Sequence, residues 1–158
     1  MQTRPFIFLA ASFLAGCSLF GNDDPEIEIR TDKKQYTPIP ETVISLRVSN
    51  KSDSPIFYLC TGQIWLEELD GDRIVNRWMV HGFEECLSPH AIDTSEEEVF
   101  DLGFDEKSAL GNIQGAAFDE TVRYRMSVSL FWDQAFKRAL SDRERRSNTF
   151  QIMRNPVL

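Results

Sequence analysis

The chain has 158 residues, 42% of them hydrophobic and 27% charged, the proportions of one globular domain rather than of a disordered chain or a bundle of membrane spans. Acidic side chains outnumber basic ones 25 to 17, a net charge of -8, so the surface as a whole repels phosphate backbones and nucleic acid is not expected as a partner. Two histidines and three cysteines leave little material for metal or nucleophile chemistry, and neither a cofactor, a metal nor a catalytic residue is expected.

Taken from the start, Arg4 places one positive charge ahead of an apolar or small run from Phe6 to Gly16. That run is too short to cross a hydrocarbon core as a helix, which takes about 20 residues, and it fits the central segment of a secretory signal peptide. Leu14-Ala15-Gly16-Cys17 resembles the bacterial lipobox. The resemblance implies cleavage before Cys17, so that residues 1–16 are a signal peptide, and acylation of the Cys17 thiol. It also implies a lipid-anchored, exported protein. Ser18 rather than aspartate follows the cysteine, which by resemblance to bacterial lipoprotein sorting implies the outer membrane. Residues 17–25 are short and turn-rich and read as a tether; residues 26–158 are the folded domain.

Along that domain, alternation of period two predicts strands. Ile27 and Ile29 alternate with Glu26, Glu28 and Arg30. In Val43 to Ser49, Ile44, Leu46 and Val48 point one way and Ser45, Arg47 and Ser49 the other. Ile56 to Cys60 is a further strand. Ile64 to Leu69 and Arg73 to Val80 flank Asp70-Gly71-Asp72, and an Asp-Gly step suits a tight hairpin turn. Val99 to Phe104 follows. Thr121 to Leu130 is the clearest case, with Val122, Tyr124, Met126, Val128 and Leu130 on one face and Arg123, Arg125, Ser127 and Ser129 on the other. Phe150 and Ile152 alternate near the end. Turn signals fall at Tyr36 to Pro40, Asn50 to Pro55 and Leu87-Ser-Pro-His90. Only Glu106 to Ala109 and Asp133 to Leu140 are predicted to be helical. About eight short strands and little helix imply an all-β antiparallel sandwich. Tyr124 is expected in the core, and Arg123 and Arg125 are expected to face solvent and tolerate alanine.

With Cys17 assigned to lipid, Cys60 and Cys86 remain in an oxidising compartment, where a pair implies a disulfide. It closes a loop of about 26 residues, worth on the order of 3 kcal/mol in the loop-entropy model. A metal site with His81 or His90 lacks four ligands in a recognisable spacing, and two free thiols are the other alternative.

Several residues taken in order resemble a bacterial immunoglobulin-like family: Tyr36, Pro38-Ile-Pro40-Glu41, Asn50-Lys51-Ser52, Thr61-Gly62-Gln63, Asp70-Gly71 and Trp78. The arrangement is similar to the bacterial intracellular proteinase inhibitor domain over roughly Tyr36 to Phe104. Arg123-Tyr124-Arg125 and Ser147-Asn148-Thr149-Phe150 resemble the last two strands of exported immunoglobulin-like domains. The resemblance implies an immunoglobulin-like sandwich of about 7–8 strands, with Tyr124 in the tyrosine-corner position. No inhibitory residue transfers with it. Pro40 stands where the family pattern has glycine, and the turn before the fifth strand is reduced to Leu87-Ser-Pro-His90.

Two clusters bear on function. Glu84, Glu85, Asp93, Glu96-Glu97-Glu98 and Asp101 form an acidic stretch, but without the Asp-x-Asp-x-Asp-Gly spacing of a calcium loop. The loop from Phe131 to Ser147 carries Phe131, Trp132 and Phe136, then Lys137, Arg138, Arg143, Arg145 and Arg146. Aromatics beside arginines are the material of binding hot spots, and a basic run on an acidic protein also suits an anionic lipid or sugar-phosphate surface. The same residues can instead plug and strap one end of a sandwich. The expectation is a lipid-anchored, non-enzymatic envelope binding or structural module, whose partners are the membrane and an unidentified envelope protein. The alternative is a proteinase inhibitor-like domain acting on an envelope or exogenous protease.

Overall fold

Alternating side chains dictate where the strands lie. The computed structural model describes residues 26–59, 62–81, 88–104, 108–113 and 121–153. The expected leader and tether, the expected lipidation site Cys17 and the expected disulfide pair Cys60 and Cys86 lie outside them. The strands are β1 (Ile27–Thr31), β2 (Gln35–Tyr36), β3 (Val43–Asn50), β4 (Ile56–Leu59), β5 (Ile64–Asp70), β6 (Arg73–His81), β7 (Pro89–Ile92), β8 (Glu97–Gly103), β9 (Arg123–Val128) and β10 (Gln151–Ile152), with one helix, α1 (Ala109–Ile113), between β8 and β9. The protein is an all-β sandwich, antiparallel except where β10 meets β2.

One sheet has the order β1-β3-β8, with Ile29 opposite Val48 and Leu46 opposite Phe100. The other has the order β6-β5-β9. Tyr124 and Phe150 exchange both backbone hydrogen bonds at 2.8 Å, which brings the last segment alongside β9. There β10 pairs with β2 in parallel, Ile152 opposite Tyr36. Antiparallel β4 and β7 form a small ribbon of their own. Ile44, Leu46 and Val48 from β3, Ile64 and Leu66 from β5, and Met126 and Val128 from β9 meet between the sheets and are almost wholly buried. Each such side chain contributes about 1.5–3 kcal/mol relative to exposure. The whole described core lies between Ile27 and Ile152, so no described core residue precedes Ile27.

Two glycines fix backbone positions. Gly71 opens the β5–β6 hairpin turn at φ 63 while Asp72 stays at negative φ, the type II′ pattern that matches strand twist. Gly62 sits at φ 47 with the Phe100 ring 2.8 Å from where a Cβ would stand, so any side chain there collides with the core.

The secondary structure departs from the sequence reading at three places. Gln35–Tyr36 and Pro89–Ile92 are strands where turns are predicted; Pro89 occupies a first strand position, where its missing N–H is tolerated. Of the helix predicted over Glu106 to Ala109, Glu106 and Lys107 lie outside the described residues, and the helix that is described, α1, starts at Ala109. It is capped by the Ser108 hydroxyl, which accepts from the Gly111 N–H at 2.8 Å. The segment Asp133 to Leu140 is no helix. The Asp133 carboxylate accepts from the backbone N–H groups of Ala135, Lys137 and Arg138, and Phe136 takes φ 55. A side chain that captures the backbone donors competes directly with helical bonding. Trp132 N–H to Arg138 O and Leu140 N–H to Leu130 O then close a narrow loop.

The chain crosses from one sheet to the other between β1 and β2. Tyr36 closes that crossing. Its hydroxyl donates to Asp32 Oδ1 at 2.6 Å and accepts from the Lys33 N–H at 3.0 Å, while Asp32 Oδ1 also accepts from the Ser45 N–H at 3.0 Å. Burial, and then the bond to Asp32, push the Tyr36 pKa up to about 12. A phenol whose folded pKa is raised stabilises fully below its unfolded pKa, about 10, and that stability is lost as pH rises towards 12. Ultraviolet titration is expected to show one of the three tyrosines ionising near pH 12, and Tyr36→Phe to abolish that late phase. The same substitution is expected to cost about 1–3 kcal/mol in a denaturant melt.

Candidate functional site

The outer face of the β6-β5-β9 sheet holds a charged side chain where a strand facing water holds none that is buried. Glu67, in the middle of β5, lies directly opposite Arg77 on β6 and Arg125 on β9. Its side chain is only 2% exposed. Arg125 Nε donates to Oε2 at 2.8 Å and Ser127 Oγ donates to Oε1 at 2.8 Å. Arg77 Nε stands 3.4 Å from Oε1 and Arg146 Nε 3.8 Å from Oε2. Arg77 also stacks on the Trp65 ring, 4.4 Å from its centroid. The carboxylate is thus surrounded by internal donors, which suits it to hold strands and loop together.

What buries Glu67 is the second half of the loop after β9. Residues 141–147 form a strap whose last three residues pair with the free edge of β9, Arg146 opposite Ser127, so that the Arg146 side chain reaches back to Glu67. Val128 N–H donates to Arg145 O, Ser147 N–H to Met126 O, and Met126 N–H to the Ser147 hydroxyl, each at 2.9 Å. Arg145 and Arg146 both pair with Asp142. Beyond the strap, Asn148 accepts from the Thr31 N–H and donates to Thr31 Oγ1, both at 2.9 Å, tying the strap to the end of β1. A polar cavity of about 170 Å³ lies between Glu67, Arg77, Ser127 and the strap.

The first half of the loop is an aromatic turn. Phe131 bridges to Phe57 on β4 and to Ala139, and Phe136 packs edge-on against it, ring centroids 5.2 Å apart. Trp132 packs on the core while Arg138 lies over its ring at 5.9 Å. Asp133 closes the turn. Desolvation pushes its carboxyl up, but the N–H groups of Arg138, Lys137 and Ala135 outweigh it and hold the pKa below the ordinary value. A depressed carboxyl stabilises above its unfolded pKa, so this turn loosens as pH falls through the acidic range.

The eight loop residues singled out by sequence therefore fall into two groups. Phe131, Trp132, Phe136, Arg145 and Arg146 are held against the domain. Lys137, Arg138 and Arg143 are exposed, and Arg143 has neither an ion pair nor a hydrogen bond among the described residues. In the acidic stretch, Glu97 pairs with Arg47 and accepts from Ser49, which holds its pKa low; Asp101 accepts from Ser45, and Glu96 from the Asp93 N–H. Among the described residues no three acidic, histidine or cysteine side chains gather as metal ligands. His90 stacks against Tyr58 and His81 lies near Phe100, 5.6 Å and 6.1 Å between ring centroids. Glu84, Glu85 and Cys86 fall outside the described residues.

Sequence reasoning missed Glu67. The one signal was its neighbourhood: a glutamate facing the same way as Arg77 and Arg125 on the flanking strands. Tyr124 is buried as expected, but Arg125 is a correction. Its side chain is 13% exposed and bound to Glu67, because it lies between that carboxylate and the strap, whose Arg146 shares it.

No family model matches the sequence, and no curated protein matches it. Among solved structures the sporulation control protein Spo0M of Bacillus subtilis is similar, with 12% identity and a TM-score of 0.43, over 83% of this chain and 50% of that one. The chain thus spans about half the length of that structure, and a likeness of this size carries no functional argument.

Arg125→Ala is expected to cost about 3 kcal/mol, the lower end of the range for removing one partner of a buried ion pair. Arg123→Ala, exposed and bonded only to the Gly71 carbonyl, is expected to stay within about 0.5 kcal/mol. Urea melts of the two variants separate the assignments. In hydrogen exchange, Asp133→Ala is expected to expose the Arg138 amide while β3 amides keep their protection.

Proposed function

We propose that this protein is a lipid-anchored, non-enzymatic module of the cell envelope, exported and held by Cys17 in the outer membrane, which presents the loop 131–147 to a partner. The observation that carries the reading is the division of that loop. Its aromatic turn and strap are bonded to the domain, and this rigidity presents Lys137, Arg138 and Arg143 outward on a protein of net charge -8. A pre-ordered loop on a sandwich offers contact surface at little entropic cost. The lipobox residues and Ser18 support the anchor and its membrane.

The test is metabolic labelling with a fatty acid followed by membrane fractionation. The parent is expected to take up label and sediment with outer membranes, and Cys17→Ala to do neither; label in the mutant contradicts the anchor. Stoichiometric inhibition of a serine, cysteine or metalloprotease by the purified domain replaces the binding-module reading with the inhibitor one.

A further inference from the structure

We propose that the groove between β1 and the strap is a binding site for a phosphate ester, the chemistry of an anionic membrane headgroup. The inference deepens the lipid-anchored reading and rests on it for the nearness of a membrane. The groove has a volume of about 620 Å³ and is lined by β1 residues on one side and by Arg125 and the strap on the other. That size lies within the range of small-ligand sites, roughly 300–1,000 Å³.

Its charge is unlike that of the rest of the protein. Arg30, Arg125, Arg143 and Arg146 line it against two carboxylates, Glu28 and Asp142. Both carboxylates are already engaged: Glu28 by Arg30 and Lys51, and Asp142 by Arg145 and Arg146. Arg125 uses only Nε on Glu67, and its two terminal nitrogens have no partner among the described residues. Arg143 has no partner among the described residues. Two guanidinium groups with free donors in one groove match the oxygens of a phosphate, which arginine binds in a planar fork.

The groove also lies at the start of the described chain: Ile27, where β1 begins, lines it, ten positions after Cys17. Fully extended, that stretch reaches at most about 35 Å, which keeps the groove near the bilayer that an acyl chain enters. A choline headgroup opposes arginine with its own positive charge, so the preferred surface carries net negative headgroups.

The test uses residues 18–158, which contain the whole described core and lack both leader and acyl cysteine. It measures sedimentation with vesicles of phosphatidylcholine alone or mixed with phosphatidylglycerol, and calorimetric titration with glycerol 3-phosphate. Binding is expected to the mixed vesicles and not to phosphatidylcholine, with competition by glycerol 3-phosphate. Arg143→Glu is expected to weaken it about tenfold or more. Lys34→Glu makes the same charge change on an exposed lysine outside both the groove and the loop and is expected to weaken it less than about twofold. Arg143 is exposed and unpaired, so its variant keeps the parent melt, which is checked alongside. Binding of glycerol 3-phosphate with the same Arg143 dependence but no vesicle binding supports the phosphate site and assigns it to a soluble ester. Binding of neither, or equal losses in both variants, overturns the proposal. Because the protein tested carries no lipid, failure of Cys17 acylation overturns the anchor without touching this result.

Discussion

The burial of Glu67 is the constraint on which the rest depends. Removing a carboxylate from water costs several kcal/mol, repaid only when charges and hydrogen bonds close around it. Here the closure comes from three directions: Arg77 on one neighbouring strand, Arg125 and Ser127 on the other, and Arg146 on the strap. A slip of one residue in either pairing turns the arginines to the opposite face, away from the carboxylate. The cluster therefore selects the register of β5 against both neighbours and requires the strap to be in place. Apolar burial between the sheets supplies the stability; the ion cluster on the outer face selects which arrangement the stability belongs to.

The second tie is the crossing from β1 to β2, where Tyr36, Asp32 and Thr31 meet β3 and Asn148. Its partner Asn148 lies two residues after Arg146, so the crossing and the ion cluster hold opposite ends of one short segment. Between them stands the arginine-lined groove. Its shape is set by two structural ties rather than by any residue dedicated to it. Both sides of the groove are held by these ties, and the exposed Arg143 at its rim has no partner among the described residues because Arg145 and Arg146 make the strap's ion pairs.

Much of the sandwich is legible from alternation alone. Val43 to Ser49 and Thr121 to Leu130 have the right strands and the right buried faces, because period two and an apolar core leave one solution. β2 and β7 are not legible: each is short, flanked by proline or polar residues, and stabilised by a partner distant in sequence. The segment from Asp133 to Leu140 has helical composition, but a single carboxylate collecting three backbone donors overrides it. The exposed part of the loop 131–147 is legible as a run of cations. Its division into locked and free residues is not, since Arg146 and Arg143 differ only in what lies beneath them. Arg125 is misjudged for the same reason: outward on a strand means solvent only when no buried charge on the neighbouring strand draws the side chain in.

Hydrogen exchange in Glu67→Gln tests the central claim most directly. The amides of Val128 and Ser147 bond to the strap and to β9. They are expected to exchange about a hundredfold faster in the variant, as the loss of a buried charge partner implies. The amides of Leu46 and Val48 in the opposite sheet are expected to keep most of their protection. Unchanged exchange at Val128 and Ser147 would show that the strap closes without Glu67, and would contradict the account.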